Sequence, residues 1–393
     1  MKPIPYSHQS IDSEDIKEVV KVLKSDWLTQ GPKIKEFEDA LCKYTGAKYA
    51  VVVSSGTAAL HIACLTAGIK KGDEVITSPI TFVASANCVL YCQGKPIFAD
   101  IREDTINIDP EEIKKKVTKK TKAIIPVHFA GHPCDLKEIH KIAKENRLIV
   151  IEDAAHALGA EYKGSRIGSC KYSDMTIFSF HPVKSITTGE GGAIMTNNKK
   201  FYEKLLMLRT HGITKAPDRF INRKLAFTRY AIRNTHKANP WYYEMRWLGF
   251  NYRMTDFQCV LGISQLKKLD KFIKQRRKIA AIYAEGLSKI NRIILPEEKT
   301  YVKSSWHIYY IRLKNIAKRR IIFEKLQKAG IRPQVHYIPV HLQPYYKKKF
   351  GSKEGEYKNA ENYYKRAITI PLYPEMGQDK IKFVIGALKD ILN

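Results

Sequence analysis

Apolar and polar residues follow two periods along this chain. From Asp12 to Lys24, Ile16, Val19, Val20 and Leu23 recur at helical spacing, with Asp12 or Ser13 placed to cap the N-terminus. The run Trp27-Leu28-Thr29-Gln30-Gly31-Pro32 breaks that helix, and a second runs from Ile34 to Tyr44. Tyr49 to Ser54 is a β-branched strand that leads into Ser55-Gly56-Thr57-Ala58-Ala59-Leu60, the opening of another helix. Strands and helices then alternate. Strands are expected at Glu74–Thr77, Pro96–Asp100, Ala123–Val127, Leu148–Ile151, Met175–Phe180 and Gly192–Thr196, and helices at Thr81–Cys92, Pro110–Val117 and Leu136–Asn146. Such alternation predicts an α/β fold, a mostly parallel sheet with helices on both faces, whose ligands sit at the carboxyl ends of the strands.

After residue 260 the pattern changes. A long basic helix (Leu261–Ala284), an alternating strand (Ile308–Leu313), a helix (Arg319–Ala329) closed by Gly330 and a C-terminal helix read as a smaller α+β domain. At 393 residues the chain is too long for one compact core, so a large domain over 1–260 and a small one over 261–393 are expected. Residues 215–246 stand apart: they are rich in Arg, Lys, Tyr and Trp and have no clean period. The simpler reading is a surface insertion that packs its own aromatics; the other is a lid or partner surface.

Composition narrows the class. No window approaches the roughly 18 apolar residues of a membrane span, and Met1 to Ser7 lacks an apolar signal core, so no membrane partner and a cytoplasmic setting are expected. The seven cysteines form no Cys-x-x-Cys pair; Cys88 and Cys92 are four apart without a His-rich partner, so reduced thiols are expected and no metal. The balance of 68 basic to 39 acidic residues, +29, is spread along the chain without a nucleic-acid motif. Nucleic acid is therefore not expected as a partner.

Candidate chemistry centres on Lys184, in Ser179-Phe180-His181-Pro182-Val183-Lys184, which is followed by Thr187-Thr188-Gly189-Glu190-Gly191-Gly192. A lysine between a strand and a glycine turn can leave water and become a neutral amine, the usual Schiff-base nucleophile; one of many surface lysines is the plainer alternative. Ser55-Gly56-Thr57-Ala58 can cradle a phosphate at a helix N-terminus, although these are ordinary turn residues too. Asp153, at a buried strand end, needs a cation, which a protonated pyridine nitrogen would supply; a cap or ion pair is the plainer reading. His156, three residues on, lies on Asp153's face if the turn is helical. Phe82 can stack on a planar ring or simply fill core. Together a phosphate cradle, a platform, an acid for a ring nitrogen, a hydroxyl and a lysine match the needs of pyridoxal 5'-phosphate, with pyridoxamine 5'-phosphate as its alternate form.

The chain resembles the DegT/DnrJ/EryC1/StrS sugar aminotransferases, which have the aspartate aminotransferase fold (fold type I). The motifs that carry the likeness are Trp27-Leu28-Thr29-Gln30-Gly31, Ser54 to His61, Glu152 to Gly159, Ser179 to Lys184 with Thr187 to Gly192, Gly249-Phe250-Asn251-Tyr252-Arg253-Met254 and Val335-His336-Tyr337-Ile338-Pro339. The resemblance implies that Lys184 carries the cofactor, Asp153 partners its ring nitrogen and His156 neighbours its ring hydroxyl. Phe82 would stack on the ring, while Thr57, Ala58 and Ser179 would take the phosphate. Asn251 would reach the phosphate of a second subunit, which implies a homodimer with shared sites. Within the family, the likeness is to members that aminate C4 of a UDP-linked 4-keto-6-deoxy-N-acetylhexosamine in pseudaminic acid biosynthesis, with L-glutamate as donor. Tyr6, Asp26, Trp27, Leu28, Thr29, Gly56, Ser179, Arg253, His336, Tyr337, Ile338, Pro339 and Tyr345 would then contact the sugar nucleotide. Another UDP- or dTDP-4-keto-6-deoxysugar is the alternative acceptor. Family members that act as sugar 3-dehydratases carry His at the lysine position, and Lys184 argues against that reaction.

Overall fold

The computed structural model describes residues 3–227 and 237–392. A two-residue strand β1 (Ile4–Pro5) precedes α1 (Ser13–Leu23), which Asp12 caps: its carboxylate accepts from the N–H groups of Glu14 and Asp15, and Asp15 accepts from the Asp12 N–H in return. Helix α2 (Pro32–Thr45) opens on a proline and stops at Gly46, whose φ of 84° favours glycine. The alternating region follows as β2 (Tyr49–Val53), α3 (Gly56–Thr66), β3 (Glu74–Thr77), α4 (Ala84–Tyr91), β4 (Lys95–Phe98), α5 (Pro110–Lys116), β5 (Thr121–Ile125), α6 (Leu136–Asn146) and β6 (Ile149–Asp153). A hairpin of β7 (Glu161–Tyr162) and β8 (Ser165–Arg166) leads to β9 (Met175–Ser179), β10 (Gly192–Thr196) and α7 (Lys199–Arg209).

Seven of these strands form one sheet in the order β2-β10-β9-β6-β5-β3-β4. The pairs from β9 to β4 are parallel, and β10 runs antiparallel to both of its neighbours. The loop that reverses the chain between β9 and β10 is the one carrying Lys184, so it lies over the carboxyl end of β9. Both faces of the sheet are covered, as the near-continuous apolar strands require. One face buries Val52, Ile76, Ile124, Val150 and Phe178 against α2 and α6; the other buries Val51, Val75, Ile125, Ile151 and Ile177 against α3, α4 and α7.

The chain continues through β11 (Ile213–Thr214), the single turn α8 (Arg223–Ala226) and β12 (Glu244–Met245), which pairs with β11. Helix α9 (Asp256–Leu287) starts earlier than the apolar period indicates, because Thr255 and Gln258 form a capping box. It serves two cores. Cys259 to Ile273 pack with the first, and Ile279 to Leu287 pack with a second built from the C-terminal elements. The expected division at residue 260 therefore falls inside this helix. The second core holds β13 (Ile293–Ile294), β15 (Tyr309–Leu313) and β17 (Ala367–Ile370) in an antiparallel sheet, with α10 (Arg319–Lys328) and α13 (Gln378–Leu392) packed on it. The intervening elements are β14 (Val302–Lys303), β16 (Ile331–Arg332), α11 (Pro344–Phe350) and α12 (Lys358–Arg366). Two pairings cross between the halves: β1 runs parallel to β16, and β14 pairs with β7.

Within 215–246, Phe220, Ala226 and Phe227 are buried together with Ala238 and Tyr242 packed against them. That agrees with an insertion that packs its own aromatics, yet Ile221, Leu225, Trp241, Tyr243 and Met245 are exposed. The run Arg229-Tyr230-Ala231-Ile232-Arg233 lies outside the described residues.

Candidate active site

The carboxyl ends of β2, β3, β5, β6 and β9 converge on a cavity of about 610 Å³. Its lining includes Tyr6, Gly56, Thr57, Phe82, Asp153, His156, Ser179, Lys184, His336 and Tyr337. That volume suits a cofactor together with part of a substrate.

One wall is the start of α3. Ser55 caps the helix, its Oγ accepting from the Ala58 N–H at 3.0 Å. The N–H groups of Gly56 and Thr57 belong to the first helical turn, which has no intrahelical acceptors, and they sit at the positive end of the helix dipole. Ala58 spends its N–H on the cap and does not line the cavity. A Cβ at Gly56 would lie 2.9 Å from Ser179 Cβ, and one at Gly192 would lie 2.5 Å from the Ser55 carbonyl oxygen. These glycines let the strand carrying Ser179 approach the helix N-terminus, and a hydroxyl then stands beside free N–H groups.

Asp153 ends β6 and is 6 % exposed. Ser85 Oγ donates to its Oδ2 at 2.5 Å and the Ala155 N–H to its Oδ1 at 3.1 Å. No Lys, Arg or His among the described residues forms an ion pair with it. A buried carboxylate fixed by two donors, with no side-chain cation at ion-pair distance, is a seat for a cation presented from the cavity. The next acid, Glu152, points to the opposite side of the strand, where it meets His128 at 2.7 Å. His156 does not reach the site along a helical face. Ala154 to His156 form a tight turn, closed by the Ala157 N–H donating to the Ala154 carbonyl at 2.8 Å, and β6 has already ended.

Above Asp153, His156 Nε2 and the Tyr337 hydroxyl are 3.1 Å apart, and the Tyr337 ring lies 6.2 Å from Phe82. Phe82 itself is 59 % exposed, an open ring face on the cavity rather than core filler. Tyr6 packs its ring 5.2 Å from His336, whose Nδ1 meets Thr369 Oγ1 at 2.9 Å. Burial, with Lys184 nearby, pushes the His156 imidazole well below its ordinary range and His336 down to about 3, so both rings are neutral at physiological pH. Burial also raises the Tyr337 phenol far above its ordinary value. Lys184 opens onto the cavity but is enclosed by protein. Desolvation pulls its amine down to about 8, against the opposing attraction of Asp153.

The other sequence-predicted residues fall around this centre. Trp27 and Leu28 are exposed on the loop after α1, where the Leu28 carbonyl accepts from the Asp256 N–H and Thr29 bridges Thr255. Asp26 is exposed on the same loop. Asn251 is exposed and bridges Thr210, with half-buried Arg253 two residues on. Ile338 is exposed, and Pro339 precedes Val340, whose N–H donates to the Pro79 carbonyl. Tyr345 faces a separate cleft of about 490 Å³ with Tyr91 and Lys349. None of these lines the main cavity. Among the lining residues that escaped the sequence reading are Ser85, whose signal was a hydroxyl in the first turn of the helix after Phe82, His181, and Glu190, within the glycine turn.

Residues 9–389 match the DegT/DnrJ/EryC1/StrS aminotransferase family. The chain belongs to that family. It is 42% identical over 394 residues, 99% of this chain and 97% of the other, to the UDP-4-amino-4,6-dideoxy-N-acetyl-beta-L-altrosamine transaminase of Campylobacter jejuni. Among solved structures, the pseudaminic acid aminotransferase PseC of Helicobacter pylori superposes with a TM-score of 0.90 at 32% identity, covering 100% of this chain and 99% of that one. Spr1654 of Streptococcus pneumoniae, solved in its PLP form, gives 0.89 at 31%, covering 99% and 98%. The chain is thus a pyridoxal-phosphate-dependent sugar aminotransferase of fold type I. The cavity fits that cofactor on its own chemistry: an unpaired buried carboxylate, a helix N-terminus kept open by glycines, and an amine lowered toward neutrality.

Proposed function

We propose that this aminotransferase moves an amino group from L-glutamate to C4 of UDP-2-acetamido-2,6-dideoxy-β-L-arabino-hex-4-ulose, a step of pseudaminic acid biosynthesis carried out in the cytoplasm. The observation that carries the chemistry is the placement of Lys184 and Asp153 on one cavity, an amine lowered to about 8 and a carboxylate without a counter-ion. Support for the acceptor comes from one relative named for the amino sugar this reaction would form and from a structural neighbour named as an aminotransferase of pseudaminic acid biosynthesis.

Pyridoxal phosphate, when bound, supplies an electrophilic carbon for amines and a ring that takes up the electron pair released at the donor Cα. Around it, Gly56 and Thr57 N–H groups and Ser179 Oγ hold the phosphate, with Ala58 behind them in the helix cap. Phe82 covers one ring face. The Asp153 carboxylate, fixed by Ser85 and Ala155, keeps the ring nitrogen protonated. Lys184 Nζ anchors the cofactor. As a free amine it would take the proton from the donor Cα and deliver one to C4 of the acceptor, a task suited to an amine near neutrality. His156, neutral and tied to Tyr337, stands by the ring hydroxyl. Tyr6, His336 and Tyr337 roof the cavity where the sugar enters. Asn251, which is exposed, would serve the phosphate of a second copy in a homodimer. Asp26 to Thr29, Arg253, Ile338 and Pro339 would contact the sugar nucleotide outside the cavity, and Tyr345 from its separate cleft.

The deciding experiment incubates the holoenzyme with L-glutamate and a panel of UDP- and dTDP-4-keto-6-deoxysugars, and reads the products by NMR. Amination of the β-L-arabino ketosugar at C4 at least about tenfold faster than of the others is expected. A faster dTDP substrate, or preference for another UDP-4-keto epimer, overturns the acceptor assignment and leaves the aminotransfer.

A further inference from the structure

Arg276, in the middle of α9, is 1 % exposed and has no carboxylate partner among the described residues. A permanent cation kept in a protein interior without a counter-ion is costly, and it persists where its hydrogen bonds fix something. Its Nη1 donates to the carbonyls of Trp306 at 3.4 Å, His307 at 3.0 Å and Leu372 at 3.1 Å. Each acceptor lies one step from the cavity. The Leu372 N–H donates to the Tyr6 carbonyl at 2.9 Å. The His307 ring lies against the His156 ring, centroids 4.2 Å apart with 36° between the planes. Ser305 Oγ donates to the His156 carbonyl at 2.7 Å, so residues 305–307 grip His156 by backbone and ring alike. Trp306, at the centre of this grip, has a φ of 48°, in the left-handed region that a tryptophan seldom adopts, and its carbonyl is one of the three that Arg276 holds.

We propose that Arg276 and His307 are positioning residues for His156: the guanidinium fixes the 306–307 turn, and the His307 ring sets the plane of the His156 ring against Tyr337. The proposal rests on the reading of His156 as a cofactor-side residue. Burial, with His156, Lys184 and Arg276 nearby, keeps His307 far below its ordinary imidazole value, so the two stacked rings are both neutral and do not repel. His307 does not line the cavity and is not a catalytic residue. A purely structural stitch between the two cores would use the same hydrogen bonds, so the test must read something that folding alone does not move.

Holoenzymes carrying His307→Ala, His307→Phe, Arg276→Met and the His307→Ala/Arg276→Met pair are compared with wild type. The readouts are thermal midpoint, the absorbance band of the bound cofactor, and kcat and KM per cofactor-loaded site. For His307→Ala we expect kcat to fall about tenfold or more, sugar KM to stay within about threefold, and the cofactor band to shift, since misorienting a positioned group costs turnover before binding. His307→Phe, which retains a ring against His156, should recover kcat to within about threefold. The double variant should be no slower than the worse single one, as expected for one shared path. Wild-type kcat and spectrum in His307→Ala, equal losses in the Ala and Phe variants, or additive losses in the double variant each overturn the proposal. A wild type without a cofactor band or aminotransfer would instead overturn the functional reading beneath it.

Discussion

Replacing Lys184 by methionine isolates the physical property on which the site depends. The side chain stays unbranched and one heavy atom shorter, and the enclosed cation disappears. Burial lowers the amine from 10.5 to about 8, and at about 1.4 kcal/mol per pH unit that displacement sets a ceiling of about 3 kcal/mol on the folded-state penalty of the charged form. The sign follows from proton counting. The folded value lies below the unfolded one, so between about 8 and 10.5 the unfolded chain binds more protons, and wild-type stability rises with pH across that window. Below about 8 both states are protonated and the penalty is constant. The stability of Lys184→Met minus that of wild type, both stripped of cofactor, should thus be flat up to about pH 8 and fall by up to about 3 kcal/mol by pH 10.5. The absolute offset mixes in packing and the loss of a neighbour for Asp153; the pH-dependent part does not, because all other titrating groups are shared. Urea unfolding at pH 7, 8, 9 and 10 measures it. A difference that stays level across pH 8 to 10 would refute the argument that this amine is desolvated.

Three further outcomes test neighbouring parts of the site. Asp153→Asn keeps one acceptor oxygen for the Ala155 N–H, turns the Ser85 contact round so that the hydroxyl accepts from the amide, and removes the charge; the glutamate half-reaction, followed by absorbance in stopped flow, should slow by at least about 100-fold, and a loss under tenfold would dissociate the carboxylate from the ring nitrogen. Gly56→Ala places a Cβ 2.9 Å from Ser179 Cβ, so it should cost about 1–3 kcal/mol and weaken cofactor binding in a titration, whereas an unchanged affinity would show the cradle is not that tight. Tyr337→Phe leaves buried His156 Nε2 without its partner at 3.1 Å and should lower the unfolding free energy by about 1 kcal/mol; an unaltered denaturation midpoint would count against that bond.

What the sequence made legible follows from how each part is held. Strands covered on both faces read as nearly continuous apolar runs, parallel or, like β2, antiparallel, and so the stretches at Ala50–Val53, Val75–Thr77 and Met175–Phe178 stand out without a structure. Caps such as Asp12 and Ser55 are local chemistry and are equally plain. The cofactor-side residues follow because strand ends in an open α/β sheet all point to one edge. The rest depends on distance along the chain. His156 turned out to sit on a turn, since three-residue spacing means a shared face only inside a helix, and the chain leaves β6 for a turn instead. Helix α9 divides its apolar residues between two cores, so no single periodic stripe marks where it begins or which domain owns it. His307 sits next to an alternating strand as one more in-or-out residue, and only the folded turn at Trp306 reveals what its ring touches. Tyr6, His336 and Tyr337 come from opposite ends of the chain, and their meeting over Lys184 has no local signal; resemblance alone brought them forward.

The charge distribution within the cavity bears on how a sugar nucleotide can bind. The chain carries 68 Lys and Arg residues, yet Lys184 is the single one of either type that lines the cavity among the described residues, and it is committed to the cofactor. The dipole of α3 is likewise committed to the cofactor phosphate. The roof residues Tyr6, His336 and Tyr337 are neutral, and Asp153 and Glu190 are acids. One copy of the chain therefore offers a full set of groups for a pyridoxal ring and a monophosphate but no lysine or arginine inside the cavity, beyond Lys184, to meet the two charges of a nucleotide diphosphate. Those charges must be met outside the cavity. The candidates on this copy are Arg253, on the loop that also exposes Asn251, and Lys349, in the cleft beside Tyr345; a second copy brings its own. Under the proposed reading the hexose would occupy the neutral roof, where hydrogen bonds to its substituents would discriminate, while the diphosphate would stay at the rim. On that reading acceptor choice and cofactor chemistry would fall to different residues, so a substitution at the rim would change the nucleotide accepted without disturbing Lys184.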